Sequence, residues 1–301
     1  MLGSVTESDL DVDRSNMFGV LWAVLGVGLF GLIYVSGKMT GGAISACQII
    51  WFRYFGALLT MLIWLMLRRN DLRLIASKQV GLHAVRALAG GGGGMAAIYA
   101  ASNMEVASAT SIGLLDGLFT ILLGVFLLKE AFTPTQWLSA LVCLFGAMFV
   151  VAGGDSVSLD VNNWFPALIA LCGAAMVAIE SIMIKTLARS EPAVSVLLYV
   201  SAFGTLIFLV PALWLWQPLG SLQTLALLSL GPIAIAGQLC NIKAFRLSDA
   251  ALIGPIRYSW IIWGTAFGWI FFNEVPSLTT YLGSALILAG GAKLAFSRAR
   301  R

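Results

Sequence analysis

The chain reads VASATSIGLLDGLFTILLGVFLLKEAFTPTQWLSALVCLFGAMFVVAGG over residues 106–154, which is two long apolar runs separated by a polar break at Glu130. A shift of 144 positions places this stretch on AALIGPIRYSWIIWGTAFGWIFFNEVPSLTTYLGSALILAGGAKLAF, residues 250–296, and Glu130 then falls on Glu274. Both acids stand at the same break and are followed 16 residues later by a glycine. This coincidence indicates that the chain consists of two related halves.

Composition indicates a membrane protein. The 301 residues are 59% hydrophobic and 11% charged, with a mean hydropathy of +0.93, whereas an ordinary globular chain carries about 25% charged residues. A membrane helix takes about 20 apolar residues, and the runs are continuous, without the alternation of barrel strands. We therefore predict an all-α polytopic membrane protein with ten transmembrane helices, at 17–37, 44–67, 79–101, 106–128, 133–153, 163–187, 191–216, 222–246, 250–272 and 277–296.

The remaining residues leave no room for a soluble domain. Residues 1–16 form a polar N-terminal tail without the basic region and short apolar core of a signal peptide. The four cysteines lie inside apolar runs, where we expect packing and no disulfide framework or metal site. The net charge of +4 comes from basic residues beside membrane spans, so no nucleic-acid partner is indicated.

Loop charges predict the orientation. With the N-terminus inside, fourteen basic residues fall on the cytoplasmic side and only Lys38 falls outside, a strong positive-inside bias. Both termini are then cytoplasmic, and each half, 17–154 and 163–296, contains five spans. Related halves with an odd span count lie in opposite orientations, which is the inverted repeat of many secondary transporters. Because one chain supplies both halves, we expect a monomer to suffice.

Several motifs recur in both halves and carry a family resemblance. They are Ala-Ser-Asn-Met-Glu-Val-Ala-Ser-Ala-Thr (101–110) and Lys129-Glu130 in the first half, and Ser248-Asp249-Ala250-Ala251, Pro255 and Asn273-Glu274 in the second. The pattern resembles the EamA repeat of the drug/metabolite transporter superfamily, and in particular ten-span YddG-type amino-acid exporters. The resemblance implies export of small metabolites across a bacterial-type inner membrane. The family's proline in the fourth span is Ser111 here, so we expect any backbone break to differ between the halves.

Charged residues inside apolar spans are costly and are functional candidates by default. Arg53 in span 2 and Asp116 in span 4 lie at similar depths, roughly 14 Å from the outer ends of their spans at 1.5 Å per residue. Depth alone therefore predicts an intramembrane pair between Arg53 and Asp116. A second group, Arg86, Glu180 and Arg257, lies nearer the cytoplasmic ends, where Glu180 could pair with either arginine. Such pairs could hold helices in register, exchange partners during transport, or receive the charged ends of an amino acid.

Polar and aromatic residues of spans 3, 8 and 9 complete the candidate substrate-binding or gating set: Tyr99, Gln238, Asn241, Tyr258 and Trp260. Gln238 and Asn241 share one helix face. Pro255 frees a backbone carbonyl one turn back, and such breaks persist where they face protein or a cavity. Tyr99 could wall a cavity or anchor the helix at the interface.

Span 3 also contains five successive glycines, Gly90 to Gly94. This run could allow close helix packing, or Gly90, Gly92 and Gly94, with Pro255 in span 9, could act as hinges. His83 in the same span is expected to be an interfacial helix residue.

These observations predict a secondary transporter that exports small metabolites, with neutral or aromatic amino acids as the expected substrates. The substrate would bind near the midplane between the halves, against spans 3, 4, 6, 8 and 9, and alternating access would expose it to each side. The chain has no Gly-x4-Gly-Lys loop for nucleotide, and we expect no cofactor. Span 1 has no acidic residue, so any proton coupling would fall to Asp116 or Glu180.

Other functions remain open to test. One is exchange of anionic metabolites such as sugar phosphates, with Lys243 and Arg257 binding the anion, although a lysine at the membrane edge needs no such role. A drug exporter and a channel are further transport alternatives. An intramembrane enzyme is disfavoured because the chain has one histidine and no Gly-x-Ser-x-Gly or His-Glu-x-x-His motif.

Overall fold

The fold is built from long apolar helices. The structure is a computed structural model that describes residues 7–68, 77–119, 123, 134, 138, 141–142, 145–146, 149, 164–247 and 259–299. The helices with defined bounds in these ranges are α1 (Glu7–Met39), α2 (Ala46–Arg68), α3 (Val80–Asn103), α4 (Val106–Gly113), α5 (Trp164–Ser190), α6 (Ala193–Trp214), α7 (Ser221–Leu247), α8 (Trp260–Phe272) and α9 (Leu278–Ala299). No strand occurs among the described residues, so they are all-helical as expected.

Five of these helices are long and apolar enough to cross a membrane. Their apolar segments are Met17–Met39, Ala46–Leu67, Trp164–Ile184, Ala193–Trp214 and Ser221–Ala244, and the shorter apolar helices are Trp260–Phe272 and Leu278–Gly290. Of the predicted fifth span, 133–153, the structure describes only residues 134, 138, 141–142, 145–146 and 149, and most of the fourth span beyond residue 119 lies outside the described residues. The count of ten spans and the cytoplasmic termini therefore stay predictions.

The N-terminal tail differs from the expectation in one respect. Helix α1 begins at Glu7, ten residues before the apolar segment that starts at Met17. A helix satisfies its own backbone hydrogen bonds, so it can continue past an apolar segment into polar flanking residues. The polar residues after Glu7 therefore extend the first span as a helix.

Helices α1 and α3 run in the same direction. A Cβ placed on Gly94 of α3 would lie 3.5 Å from the ring of Tyr34 in α1, and one placed on Gly37, further along α1, would lie 2.5 Å from Ile98, further along α3. Contacts that advance together along both helices require a parallel arrangement.

Helices α3 and α5 run in opposite directions. A Cβ on Gly90 would lie 2.5 Å from the carboxyl carbon of Glu180, while one on Gly93 would lie 2.7 Å from Val177. The contact moves forward along α3 and backward along α5. Since α1 is parallel to α3, the first helix of the second half runs opposite to the first helix of the first half, which agrees with the predicted inverted repeat.

The contacts between the halves also come in equivalent pairs. The third helix of the first half, α3, packs along α5, the first helix of the second half, and α1 packs in the same way along α7. Likewise α3 contacts α6 while α2 contacts α7, and α2 packs against its own equivalent, α6. A two-fold relation between halves produces this pairing, and it places the interface of the repeats at the centre of the molecule.

The glycine run of α3 provides the closest part of this interface. Helix α3 continues through Gly90 to Gly94 without a break, and a Cβ at each position would come within 3.0 Å of a neighbour; the neighbours are Glu180, Phe208, Met176, Val177 and Ile50. The run is therefore a packing surface of the kind that small residues form in membrane helices. The hinge role of Gly90, Gly92 and Gly94 stays a prediction.

The expected backbone break is only partly visible. Helix α4 ends at Gly113, Leu114 forms a turn that keeps right-handed helical angles, and helix resumes at residues 115–119. Pro255 lies outside the described residues, and α8 begins at Trp260. Whether the halves differ at this point stays a prediction.

Candidate functional site

A small cavity lies between the two repeats. Helices α2, α5, α6 and α7 contribute its lining, which comprises Arg53, Tyr54, Ala57, Glu180, Leu197, Val200, Ser201, Ala234, Ile235 and Gln238. Its volume of about 20 Å³ holds about one water molecule. Its lining combines apolar residues with polar groups that come from both repeats.

Among the described residues, the lining comes from four helices. Of the predicted spans 3, 4, 6, 8 and 9, spans 6 and 8 contribute, as α5 and α7, together with α2 and α6. Span 3 does not contribute, because side chains of α5 and α6 occupy the space beside the glycines of α3. Most of span 4 beyond residue 119 and the start of span 9 lie outside the described residues, so their part in the cavity stays a prediction.

Arg53 is the most buried charged group that lines the cavity, with 7% of its surface exposed. Its guanidinium lies over the rings of Tyr54 and Phe30, 4.7 Å and 5.8 Å from their centroids, while Nε and Nη1 have no hydrogen-bond partner. Cation–π contacts contribute about 2 kcal/mol at best, and removing a charge from water costs several kcal/mol. The rings therefore compensate the buried charge only in part.

Glu180 lines the same cavity as Arg53 and pairs loosely with a second arginine. Glu180 Oε1 lies 3.8 Å from Nε of Arg86, which confirms one of the two pairings that depth allowed. Arg86 is 1% exposed, and its Nη1 donates a 3.5 Å hydrogen bond to the Val196 carbonyl. The Nε atom of Arg86 makes no hydrogen bond, so this guanidinium keeps a donor without a partner.

At one end of the bundle, a charged pair joins the two repeats. Lys38, in the last turn of α1, forms an ion pair with Glu274 in the segment between α8 and α9. Lys38 also donates a 3.1 Å hydrogen bond to the Met104 carbonyl, and Glu274 Oε2 accepts a 3.1 Å hydrogen bond from the Val106 backbone N–H. A carboxylate at a helix N-terminus, here that of α4, also gains from the helix dipole. We call this cluster the Lys38–Glu274 pair.

The backbone at Asn273 turns Glu274 towards α4. Asn273 has φ of 53° and ends α8 in the left-handed conformation. Asparagine is among the few residues other than glycine that adopt this conformation routinely. The sequence Asn273-Glu274 thus ends one helix and places a carboxylate on the next.

A second pair joins the repeats at the start of α3. His83 Nε2 lies 2.8 Å from Glu191 Oε2, and because a carboxylate only accepts, the ring donates this bond. The Ser77 hydroxyl also donates to Glu191, and the His83 ring stacks on Tyr199 with centroids 4.9 Å apart. His83 is fully buried and Glu191 nearly so. His83 is therefore buried between the repeats because the partner carboxylate comes from the other repeat, and its expected position at the membrane interface stays a prediction.

The two pairs lie at opposite ends of the bundle. Lys38 stands at the C-terminus of α1 and His83 at the N-terminus of α3, and these helices run parallel. Each pair joins a residue of the first repeat to a residue of the second. The cavity with Arg53 and Glu180 lies between them along the bundle.

The acid pH dependence of the His83–Glu191 pair can be predicted. Burial raises the pKa of Glu191, but hydrogen bonds from Ser77 and His83 outweigh it, so the pKa lies below its ordinary value. A lowered folded pKa means that the carboxylate contributes stability above its ordinary pKa and loses it as pH falls through the lowered value. Glu191→Gln should therefore cost about 1–3 kcal/mol at neutral pH, and the difference should shrink under acid. Thermal unfolding in detergent against pH checks this; an unchanged difference in acid would contradict it.

The structure brings only some of the predicted site residues together. Arg53, Glu180 and Gln238 line the cavity. The other described candidates do not line it: Asn241 packs on Gly26, Tyr99 packs on Phe165, Trp260 packs on Tyr34, and Asp116 is buried. Arg257, Tyr258 and Pro255 lie outside the described residues. Roles for these residues, and the Arg53–Asp116 pair, stay predictions, although the acid that shares a cavity with Arg53 is Glu180.

Sequence reasoning missed the two end pairs. Lys38 and Glu274 are separated by 236 positions and His83 and Glu191 by 108, and no pattern in the sequence links them. One signal was available, since Lys38 is the single basic residue expected on the outer side and Glu274 was expected on the same side.

Lys243 lies apart from the cavity lining. Its Nζ stands 4.2 Å from the centroid of the Trp22 ring in α1. An aromatic partner and a position near the end of α7 account for the residue without an anion.

Comparison with known proteins identifies the family. The model of the EamA-like transporter family matches residues 17–152 and again residues 164–294. A pseudopaline exporter of Pseudomonas aeruginosa is 27% identical over 285 residues, covering 94% of this chain and 97% of that protein. A riboflavin transporter of Brucella anthropi is 28% identical over 274 residues, covering 87% and 91%, and an S-adenosylmethionine uptake transporter of Rickettsia prowazekii is 23% identical over 279 residues, covering 92% of each.

A solved crystal structure shares the fold. It superposes with a TM-score of 0.64 at 21% identity and covers 96% of this chain and 97% of its own. Together with two family matches that span nearly the whole sequence, this shows that the chain belongs to the EamA-like transporter family, as two EamA repeats within the drug/metabolite transporter superfamily.

Proposed function

We propose that this chain is a secondary transporter that exports small metabolites carrying an amino-acid group, by alternating access about the cavity between its repeats. The observation that carries the proposal is that Arg53 and Glu180, each from a different repeat, line the same cavity. A cation and an anion in one cavity suit the carboxylate and the ammonium of an amino acid.

The end pairs supply the gates that such a mechanism needs. Both pairs are formed, and the cavity of about 20 Å³ is far below the roughly 300–1,000 Å³ of ligand sites. We take this conformation as the occluded one of the proposed cycle, in which a substrate would enter when one end opens. Opening one end would break the Lys38–Glu274 pair, and opening the other would break the His83–Glu191 pair. Rocking of inverted repeats about a central site moves solute in this way.

The relatives support a small organic solute. Their names include pseudopaline, riboflavin and S-adenosylmethionine, and S-adenosylmethionine carries an α-amino-acid group. The pseudopaline relative, an exporter, supports the direction that we propose. Aromatic and other neutral amino acids remain the substrates to test first.

Counterflow in liposomes tests the proposal. Purified protein is reconstituted with unlabelled amino acid inside, and entry of the labelled amino acid is measured with and without a pH gradient. We expect saturable exchange that protein-free liposomes lack and that Gly81→Ala retains, since a Cβ at Gly81 meets nothing within 4 Å. Stimulation by the gradient would assign proton transfer to Glu180 or Asp116. Labelled solute entering no faster than in protein-free liposomes, for every amino acid tried, would overturn the proposal.

A further inference from the structure

The charges around the cavity do not balance among the described residues. Glu180 is the one carboxylate that lines it, whereas Arg53 lines it and Arg86 stands directly behind Glu180. If all three are ionised, this group carries one excess positive charge away from bulk water. Buried charges are retained where they are paired or where they serve a function.

The excess charge is located on Arg53. Arg86 already has Glu180 at 3.8 Å and the Val196 carbonyl. Arg53 instead has two aromatic rings and two buried nitrogen atoms, Nε and Nη1, without a hydrogen-bond partner. Nearly all of its surface is buried, and the residue lines the cavity. The donors that lack partners belong to the charged group that a ligand in the cavity would meet.

Packing keeps Arg53 in this position. The guanidinium lies between Tyr54 on its own helix and Phe30 on α1. A Cβ on Gly94 would stand 3.5 Å from Nη1, so the glycine run leaves the room that this nitrogen occupies. A planar donor group held on two sides is preorganised for a planar acceptor.

We propose that Arg53 is the carboxylate-binding residue of the transported solute and that a carboxylate group is required for binding. Guanidinium donates two parallel hydrogen bonds to a carboxylate. One excess positive charge suits a singly charged group, and Glu180 in the same cavity disfavours a doubly charged phosphate. A solute ammonium, where present, would share Glu180 with Arg86. The inference rests on the proposed transport function for the identity of the cavity as the solute site.

The test compares three probes that share one ring: L-phenylalanine, 3-phenylpropionate and 2-phenylethylamine. Binding is measured as the rise in unfolding temperature of the full chain in detergent against probe concentration. We expect the two carboxylates to bind and the amine not to bind. In Arg53→Gln, the affinity for the two carboxylates should fall at least about tenfold. This is the smallest effect that we expect when two charge-assisted hydrogen bonds are lost. Arg53→Lys keeps the charge and loses the planar group, so its carboxylate affinity should lie between those of the unaltered chain and Arg53→Gln.

Controls keep the outcomes separate. Thr60→Val alters the same helix at a hydroxyl that bonds its own backbone and should leave affinity unchanged. If Arg53→Gln does not fold, binding of the three probes to the unaltered chain still tests whether a carboxylate group is required. Binding of the amine equal to that of the acids, binding of no acid, or unchanged affinity in a folded Arg53→Gln would overturn the proposal. Arg53-dependent acid binding without counterflow would refute transport alone, and counterflow of amino acids that a folded Arg53→Gln retains unchanged would refute the carboxylate site alone.

Discussion

Gly231→Ala is expected to prevent stable folding of the chain. Helices α2 and α7, from different repeats, cross at Gly56 and Gly231, where a Cβ on Gly231 would lie 2.1 Å from the carbonyl carbon of Gly56. A Cβ on Gly56 would lie 2.4 Å from the Leu228 carbonyl oxygen. Both obstacles are backbone atoms, so no side chain can move aside and the helices must separate. Overpacking usually costs about 1–3 kcal/mol, and we expect the upper end or more at a backbone contact.

Gly81→Ala provides the matched control, because it makes the same change where the space is open. Yield of monodisperse protein and unfolding temperature in detergent are measured for both variants. We expect Gly231→Ala to give little folded protein and Gly81→Ala to match the unaltered chain. Equal stability of the two variants would mean that α2 and α7 do not cross at these glycines.

Charge reversal at the Lys38–Glu274 pair is expected to have the second largest effect. Lys38→Glu places two carboxylates together and Glu274→Lys places two ammonium groups together, so each single variant should lose the occluded conformation. If occlusion is required in every cycle, counterflow should fall at least about tenfold, equivalent to about 1.4 kcal/mol. The double swap restores opposite charges and should recover part of the rate. Recovery should be incomplete because the Val106 N–H, at the start of α4, then faces a lysine.

Lys293→Glu, an equal change of charge on an exposed lysine of α9, should leave the rate unchanged. A double swap no faster than the single variants would show that the two residues do not act as a pair. Lys38→Glu at the rate of the unaltered chain would remove this end pair from the mechanism.

The sequence predicted how deep each residue lies in its span and that the two halves are related. It did not predict which side of a helix each residue faces. Arg86, Glu180 and Arg257 lie at similar depths, so Glu180 was expected to pair with either arginine, and its partner in the structure is Arg86. The same reasoning paired Arg53 with Asp116, but the cavity that Arg53 lines is shared with Glu180, because facing depends on how each helix is rotated. Rotation is fixed by packing, here by the glycines of α3 against side chains of α5 and α6.

The sequence also did not predict which polar side chains are buried. His83 is buried only because Glu191 and Ser77 meet it from elsewhere in the chain. Long-range partners of this kind decide whether a histidine lies at an interface or inside a protein. The membership of the chain in a transporter family, in contrast, followed from motifs that the two halves share.

The central claim is that transport requires the two ends to open in alternation. It is tested most directly by cross-linking in a chain whose four native cysteines are replaced, with cysteine pairs introduced at Lys38 and Glu274 or at His83 and Glu191. The account predicts that a cross-link at either end alone stops counterflow and that reduction restores it. Counterflow that continues at full rate with either end covalently closed would contradict alternating access about this cavity.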